Sequence, residues 1–170
     1  DNILMELNSL GAGSDKFYGS ESSDIVASGG GADYIALGAG SDVALIEGVV
    51  LKTDRNPYLT SANYVLVDTG LGDDIVEIST DFEGQVRLLS GGGLDTLVIN
   101  GDVGEFSWSA GVGANRDDIV LTSADASIVL ADQMAYDDHL VFSYIEFVTT
   151  DPVTGQETSE IFQIDPNAPQ

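Results

Sequence analysis

The stretch that decides the fold is residues 10–45, which read LGAGSDKFYGSESSDIVASGGGADYIALGAGSDVAL. Divided every nine residues, it gives LGAGSDKFY, GSESSDIVA, SGGGADYIA and LGAGSDVAL, each with an aspartate in sixth place: Asp15, Asp24, Asp33 and Asp42. Because aspartate makes up 20 of the 170 residues, three further aspartates at one set spacing have a chance of roughly 0.002. The stretch is therefore an internal repeat, and repeats of one short period predict a solenoid.

The same pattern returns twice, as TGLGDDIV at residues 69–76 and SGGGLDTL at residues 90–97, with Asp74 and Asp95 in sixth place. Glycines in second and fourth place allow backbone conformations that other residues avoid, so six residues make a tight turn whose carbonyls can converge. The aspartate ends the turn, and the apolar residue two places later points inward from a short strand. Calcium takes about six to eight oxygens, more than one turn offers, so two stacked turns must share each ion.

These segments resemble the nonapeptides of RTX (repeats-in-toxin) proteins, whose calcium motif is G-G-x-G-x-D-x-U-x. The resemblance is close over residues 10–45 and returns in the two isolated copies. It implies an all-β fold, a right-handed parallel β-roll with calcium-binding turns and a degenerate, metal-free capping region. It also implies that two nonapeptides form one coil, and that Ca²⁺ lies between turns n and n+2 on one edge of the roll.

Carried over residue by residue, the resemblance pairs Asp15 with Asp33 on one edge and Asp24 with Asp42 on the other. We interpret residues 47–63 as a long loop and Ser79–Gly84 as a turn, both on the edge of Asp33, so that Asp42 pairs with Asp74 and Asp74 with Asp95. About four ions are expected, and the ligand turns are marked by these aspartates and by the glycines Gly11, Gly13, Gly29, Gly31, Gly38, Gly40, Gly70, Gly72, Gly91 and Gly93. Ser20 and Ser22 stand where glycines belong, which makes Asp24 with Asp42 the weakest of the four expected sites.

Two regions are predicted: a calcium-binding roll over residues 1–100, and continuing β coils with a cap over residues 101–170. In the second, Asp118-Ile119-Val120 keeps the aspartate and the inward residue, and Arg116 is expected to offset charge in a metal-free coil. Residues 128–147 resemble the cap that follows RTX arrays; a solenoid needs one because its last coil exposes apolar side chains and unpaired strand edges.

An apolar row is expected on the outer face of the sheet that follows Asp24. We expect the 47–63 loop, the C-terminal segment or a neighbouring domain of the same parent protein to cover it, because such a row is unlikely to face water bare. The expected members are Ile25, Ala27, Val43, Leu45, Ile75, Val98, Ile119 and Leu121.

The net charge of −24 excludes nucleic acid and anionic membranes as partners, because both need a basic face. Four calcium ions would bring this charge to about −16. The chain has no cysteine, which excludes disulfides and thiolate sites, and one histidine, His139, for which no nucleophile constellation can be assigned. We therefore expect no catalytic residues in this chain; a catalytic domain, if any, lies outside it.

No apolar run is long enough to span a bilayer, and the first residues show no basic start with an apolar core. Either the chain is exported without a cleaved N-terminal signal, or it is a fragment of something longer. The expected function is that of a calcium-binding module of a secreted bacterial protein, monomeric as a fragment, that folds on calcium binding after type I secretion. The alternatives are an adhesin or carbohydrate-recognition domain, and an accessory module of an extracellular enzyme such as an epimerase, lipase or protease.

Overall fold

The computed structural model describes residues 6–59, 63–112, 117–131 and 142–164. The fold is all-β, with 48% of residues in strands and 4% in helices, which confirms the predicted fold class. Two short 3-10 helices occupy Pro57–Leu59 and Val103–Glu105. The strands are β1 (Leu7–Ser9), β2 (Lys16–Tyr18), β3 (Ile25–Ala27), β4 (Tyr34–Ala36), β5 (Val43–Ile46), β6 (Val65–Asp68), β7 (Ile75–Ile78), β8 (Gly84–Leu89), β9 (Thr96–Asn100), β10 (Ser107–Ala110), β11 (Ile119–Thr122), β12 (Ala126–Leu130), β13 (Tyr144–Thr150) and β14 (Glu157–Gln163).

From β1 to β9, successive strands alternate between two seven-stranded sheets, so that each pair of strands makes one coil of a roll. Sheet 1 has the order β1-β3-β5-β7-β9-β13-β14, and sheet 2 the order β10-β11-β12-β8-β6-β4-β2. Neighbours from β1 to β13 in sheet 1, and from β2 to β12 in sheet 2, are parallel. The nonapeptide is therefore half a coil, as the resemblance implies.

The core lies between the sheets and consists of the inward residue of each strand. In sheet 1 these residues form one register row, and all are fully buried from the second coil onward: Val26, Ala44, Val76, Leu97 and Ile145. In sheet 2 the row begins with the partly buried Phe17 and continues with Ile35, Val67, Leu88 and Leu130. The apolar residue two places after each turn aspartate thus points inward, as predicted.

The C-terminal region continues the roll for one coil only, made by β12 and β13. Three other strands are antiparallel to their neighbours: β10 to β11, β11 to β12, and β14 to β13. They flank four aromatic rings whose neighbouring centroids lie 5.5–6.0 Å apart, those of Phe106, Trp108, Phe147 and Phe162. This cluster packs over the last coil, where the apolar cross-section would otherwise meet water.

The antiparallel strands correct two expectations for this region. Residues 118–122 do not form a stacked coil, because β11 pairs antiparallel with both of its neighbours. The fully buried residue is Leu121 rather than Val120. Asp118 pairs with Arg87, whose guanidinium nitrogen lies 2.9 Å from the carboxylate, while Arg116 lies outside the described residues.

The apolar outer row is shorter than expected. Ile119 and Leu121 belong to sheet 2, so neither lies on this face. Within sheet 1, Ile25, Val43 and Ile75 do form a register row, and Ile75 is 40% exposed. At Val49 the 47–63 loop follows the edge of the roll, where the Val49 carbonyl accepts a hydrogen bond from the N–H of Gly31 and Val49 bridges to Glu83.

No helix among the described residues is long and apolar enough to cross a membrane.

Candidate metal centre

The turns form two columns along the edges of the roll. The Asp33 edge is made by the turns from sheet 1 to sheet 2, ending at Asp15 and Asp33 and continuing with the described part of the 47–63 loop and the turn at residues 79–84. The Asp42 edge is made by the turns from sheet 2 to sheet 1, ending at Asp24, Asp42, Asp74 and Asp95. The structure thus brings each aspartate next to the one with which the sequence pairs it.

Glycine allows these turns to stack in direct contact. Gly31 has a φ of +99°, and a Cβ built on it would lie 1.6 Å from the carbonyl oxygen of Gly13 in the coil before. On the other edge, a Cβ on Gly72 would lie 1.6 Å from the carbonyl oxygen of Gly40. Any side chain at these places would therefore collide with backbone, which explains why glycine recurs at the fourth place of the repeat.

Each turn aspartate after the first coil reaches back to the coil before it. The carboxylate Oδ1 of Asp33 accepts a 2.9 Å hydrogen bond from the backbone N–H of Asp15. On the Asp42 edge the same contact occurs three times, and in each the backbone N–H of the earlier aspartate donates a hydrogen bond to Oδ1 of the later one. The distance is 2.7 Å from Asp24 to Asp42, 2.8 Å from Asp42 to Asp74 and 3.1 Å from Asp74 to Asp95. Each of these four gaps between stacked turns is therefore lined by the carboxylate of the later aspartate.

The second oxygen of these carboxylates tests whether the turns fit a cation. Oδ2 of Asp33, Asp42 and Asp74 is buried and accepts no hydrogen bond. Oδ2 of Asp15 shares both properties. A buried carboxylate oxygen without a partner is costly, and a cation held between turns would satisfy it. Carboxylate and backbone carbonyl oxygens are the donors that Ca²⁺ accepts, so the residues present fit calcium.

Burial and mutual repulsion disfavour the charged form of these aspartates. Burial raises the pKa of Asp33 to about 7; the N–H of Asp15 opposes the rise, while the negative charges of Asp15 and Asp54 add to it. Burial likewise raises the pKa of Asp74 to about 7. The N–H of Asp42 opposes this rise, and the negative charges of Asp95, Asp42 and Asp73 add to it. The pKa of Asp42 is also raised by burial, with the Asp24 N–H opposing. Without a cation, the column holds carboxylates that resist ionisation.

The ends of the two columns differ from their middles. In the first coil, Oδ2 of Asp24 accepts the N–H of Ser20 at 2.7 Å and its hydroxyl at 3.0 Å, so the serine that breaks the glycine pattern holds this carboxylate within its own turn. On the Asp33 edge the column of carboxylates ends at Asp33. In the following coil the register of β4 with β6 puts the buried Val65 at the position of the aspartate. Asp54, in the long loop, contributes negative charge near Asp33.

Asp95 has a different environment from the other aspartates. Its Oδ2 accepts hydrogen bonds from the hydroxyls of Thr69, at 2.9 Å, and Ser90, at 2.5 Å. Burial raises the pKa of this carboxyl, and the Ser90 hydroxyl, the Asp74 N–H, the Thr69 hydroxyl and the Gly91 N–H oppose the rise.

Sequence reasoning missed the roles of Ser20, Thr69 and Ser90. Thr69 and Ser90 occupy the first place of their repeats, where the motif has glycine, and a hydroxyl at that place was the available signal. Among the described residues no group of three or more acidic or histidine side chains is placed to hold a metal. Any cation here must therefore take part of its ligands from backbone carbonyls.

The comparison with known families agrees with this geometry. The sequence model of the RTX calcium-binding nonapeptide repeat matches residues 10–44 in four copies. This part of the chain therefore consists of RTX calcium-binding repeats. The match covers the first two coils, and the turns ending at Asp74 and Asp95 continue the same column beyond it. No curated protein matches the chain.

Proposed function

We propose that this RTX chain is a non-catalytic module whose roll is completed by calcium bound between stacked turns. The observation that carries the proposal is that Oδ2 of Asp33, on one edge of the roll, and of Asp42 and Asp74, on the other, is buried and accepts no hydrogen bond. Each belongs to a carboxylate whose other oxygen, Oδ1, already accepts a hydrogen bond from the backbone N–H of the paired aspartate in the preceding coil.

Calcium would supply positive charge where the fold concentrates negative charge. The protein's own part is to place one carboxylate per gap, to hold it with a backbone N–H, and to keep the turns close through glycine contacts. Asp33, Asp42 and Asp74 would hold the ions, together with carbonyls of the turns on either side. At extracellular calcium, each site would stabilise the fold by about 1 kcal/mol if its affinity is typical of extracellular modules.

Several such sites would decide whether the roll forms. The chain carries a net charge of −24, and its folded state packs carboxylates against each other along two edges. In a compartment with little calcium this repulsion would keep the chain expanded, whereas millimolar calcium would favour the roll. Export of the unfolded chain by type I secretion, followed by folding outside a bacterial cell, is consistent with this dependence and with the repeat family.

Calorimetric titration with Ca²⁺ tests the proposal through Asp33→Asn. The asparagine keeps an oxygen for the N–H of Asp15 but removes the charge, so the variant should bind one ion fewer than the wild type. Asp81→Asn is the matched control, because Asp81 is an exposed turn residue on the same edge, and it should leave the ion count unchanged. Equal ion counts in the wild type and Asp33→Asn would refute the assignment of Asp33.

A further inference from the structure

The last gap of the Asp42 edge, between the turns ending at Asp74 and Asp95, is closed by protein hydrogen bonds. Asp95 is fully buried, and Thr69 and Ser90 beside it are buried as well. Oδ1 of Asp95 accepts a hydrogen bond from the N–H of Asp74, and Oδ2 of Asp95 accepts one from each of the two hydroxyls. Oδ2 of Asp95 is thus satisfied without a cation, whereas Oδ2 of Asp33, Asp42 and Asp74 has no hydrogen-bond partner.

The direction of the Thr69 hydrogen bond follows from its neighbours. The N–H of Gly91 donates to Oγ1 of Thr69 at 2.9 Å, so the hydroxyl proton is free to point at the carboxylate. Thr69 belongs to the turn of Asp74, while Ser90 belongs to the turn of Asp95. The two hydroxyls therefore join successive coils through one carboxylate, which is the connection that a shared ion makes elsewhere.

The first places of the other repeats do not provide this arrangement. The gap between Asp24 and Asp42 has Gly19 and Leu37 at those places, neither of which carries a hydroxyl. In the gap between Asp15 and Asp33 the first places are Leu10 and Ser28, and the Ser28 hydroxyl donates instead to the carbonyl of Glu47. Among the described turns, only Asp95 has donors from both of the turns that it joins.

We propose that the hydroxyls of Thr69 and Ser90 replace calcium in the gap between Asp74 and Asp95. This inference rests on the proposed function, and it reduces the expected ions from four to three: one at Asp33, one at Asp42 and one at Asp74. A carboxylate has about four acceptor positions, and those of Asp95 are largely occupied by protein donors. The coil next to the cap then closes without metal and offers a formed template on which the calcium-dependent coils stack.

Counting bound ions by native mass spectrometry at saturating calcium tests this inference. The wild type should hold three ions, Asp95→Asn should also hold three, and Asp33→Asn should hold two. The double variant Thr69→Val/Ser90→Ala, which leaves the Asp95 carboxylate without its donors, should hold four. If Asp95→Asn fails to fold, this double variant still tests the inference. Three ions in the double variant would contradict the replacement of calcium by the two hydroxyls.

The possible failures are distinguishable. A wild type that holds four ions, one of which is lost in Asp95→Asn, would overturn the hydroxyl assignment and leave the proposed function intact. A wild type that holds no calcium would overturn the proposed function, and this inference with it.

Discussion

The backbone N–H of Asp42 donates a 2.8 Å hydrogen bond to Oδ1 of Asp74, a residue 32 positions later in the chain. The bond spans a whole coil that includes the 47–63 loop, yet it repeats the contact that Asp24 makes with Asp42 at the regular spacing of 18. The inserted residues therefore leave the stacking of the column on the Asp42 edge unchanged. The carboxylate column, rather than an unbroken repeat, is the unit that the roll preserves.

Gly31→Ala should destabilise the roll more than Gly11→Ala. Both glycines have a positive φ, +99° and +84°, so both variants strain the backbone by about 1 kcal/mol. Only at Gly31 would the new Cβ also meet the Gly13 carbonyl oxygen, whereas nothing lies within 4 Å at Gly11. We expect Gly31→Ala to lose about 1–3 kcal/mol more, measured by urea unfolding in calcium. Equal losses would show that the turns are not stacked in contact.

The pH dependence should change direction with calcium. In the metal-free protein the pKa of Asp33 and Asp74 is raised from 3.8 to about 7, so the folded state holds these protons more tightly than the unfolded state. Their contribution to stability is complete below pH 4 and is lost as the pH rises to about 7. Without calcium, the β-sheet signal in far-ultraviolet circular dichroism should therefore be larger at pH 5 and fall toward pH 7.5, where the metal-free chain is expanded.

Saturating calcium should reverse this trend, because the ion binds the deprotonated carboxylates. The double variant Asp33→Asn/Asp74→Asn is the control that separates these groups from the general charge of the chain, and its metal-free β-sheet signal should depend less on pH. A metal-free wild type that becomes more stable between pH 5 and pH 7.5 would contradict the raised pKa values.

The aromatic cluster at the end of the roll should carry a large share of the stability. Phe147 is 1% exposed and contacts the rings of Phe106, Trp108 and Phe162. Phe147→Ala should cost about 3–5 kcal/mol. Trp108 is the one tryptophan of the chain, so its fluorescence reports unfolding of this end directly. Val153→Ala, at a side chain 90% exposed, should change stability by less than about 0.5 kcal/mol, and a similar loss in both variants would argue against the cap.

The sequence predicts the roll well because its signal is periodic. The spacing of Asp15, Asp24, Asp33 and Asp42 predicts which turns stack, and the structure places them in that order. The wider spacings from Asp42 to Asp74 and from Asp74 to Asp95 also predict a loop at residues 47–63 and a turn at residues 79–84, and the structure has connections between β5 and β6 and between β7 and β8 at these places.

Other features depend on contacts that spacing does not encode. Apolar alternation in residues 107–122 is the same whether strands run parallel or antiparallel, so the reversal of β10 and β11 could not be predicted from it. The pairing of Arg87 with Asp118 joins residues 31 positions apart outside any repeat. The hydroxyl contacts of Asp95 depend on a side chain in the preceding coil, and the motif of a single repeat does not describe such a partner.

The most direct test of the account is a calcium titration of the metal-free chain, followed by far-ultraviolet circular dichroism with magnesium as the control. Because the buried carboxylates repel each other without a cation, the β-sheet signal should grow cooperatively with calcium. Magnesium should not reproduce this growth, since it holds its water more tightly and demands a stricter geometry. A spectrum that is the same in calcium, in magnesium and in chelator would contradict the central claim that calcium completes the roll.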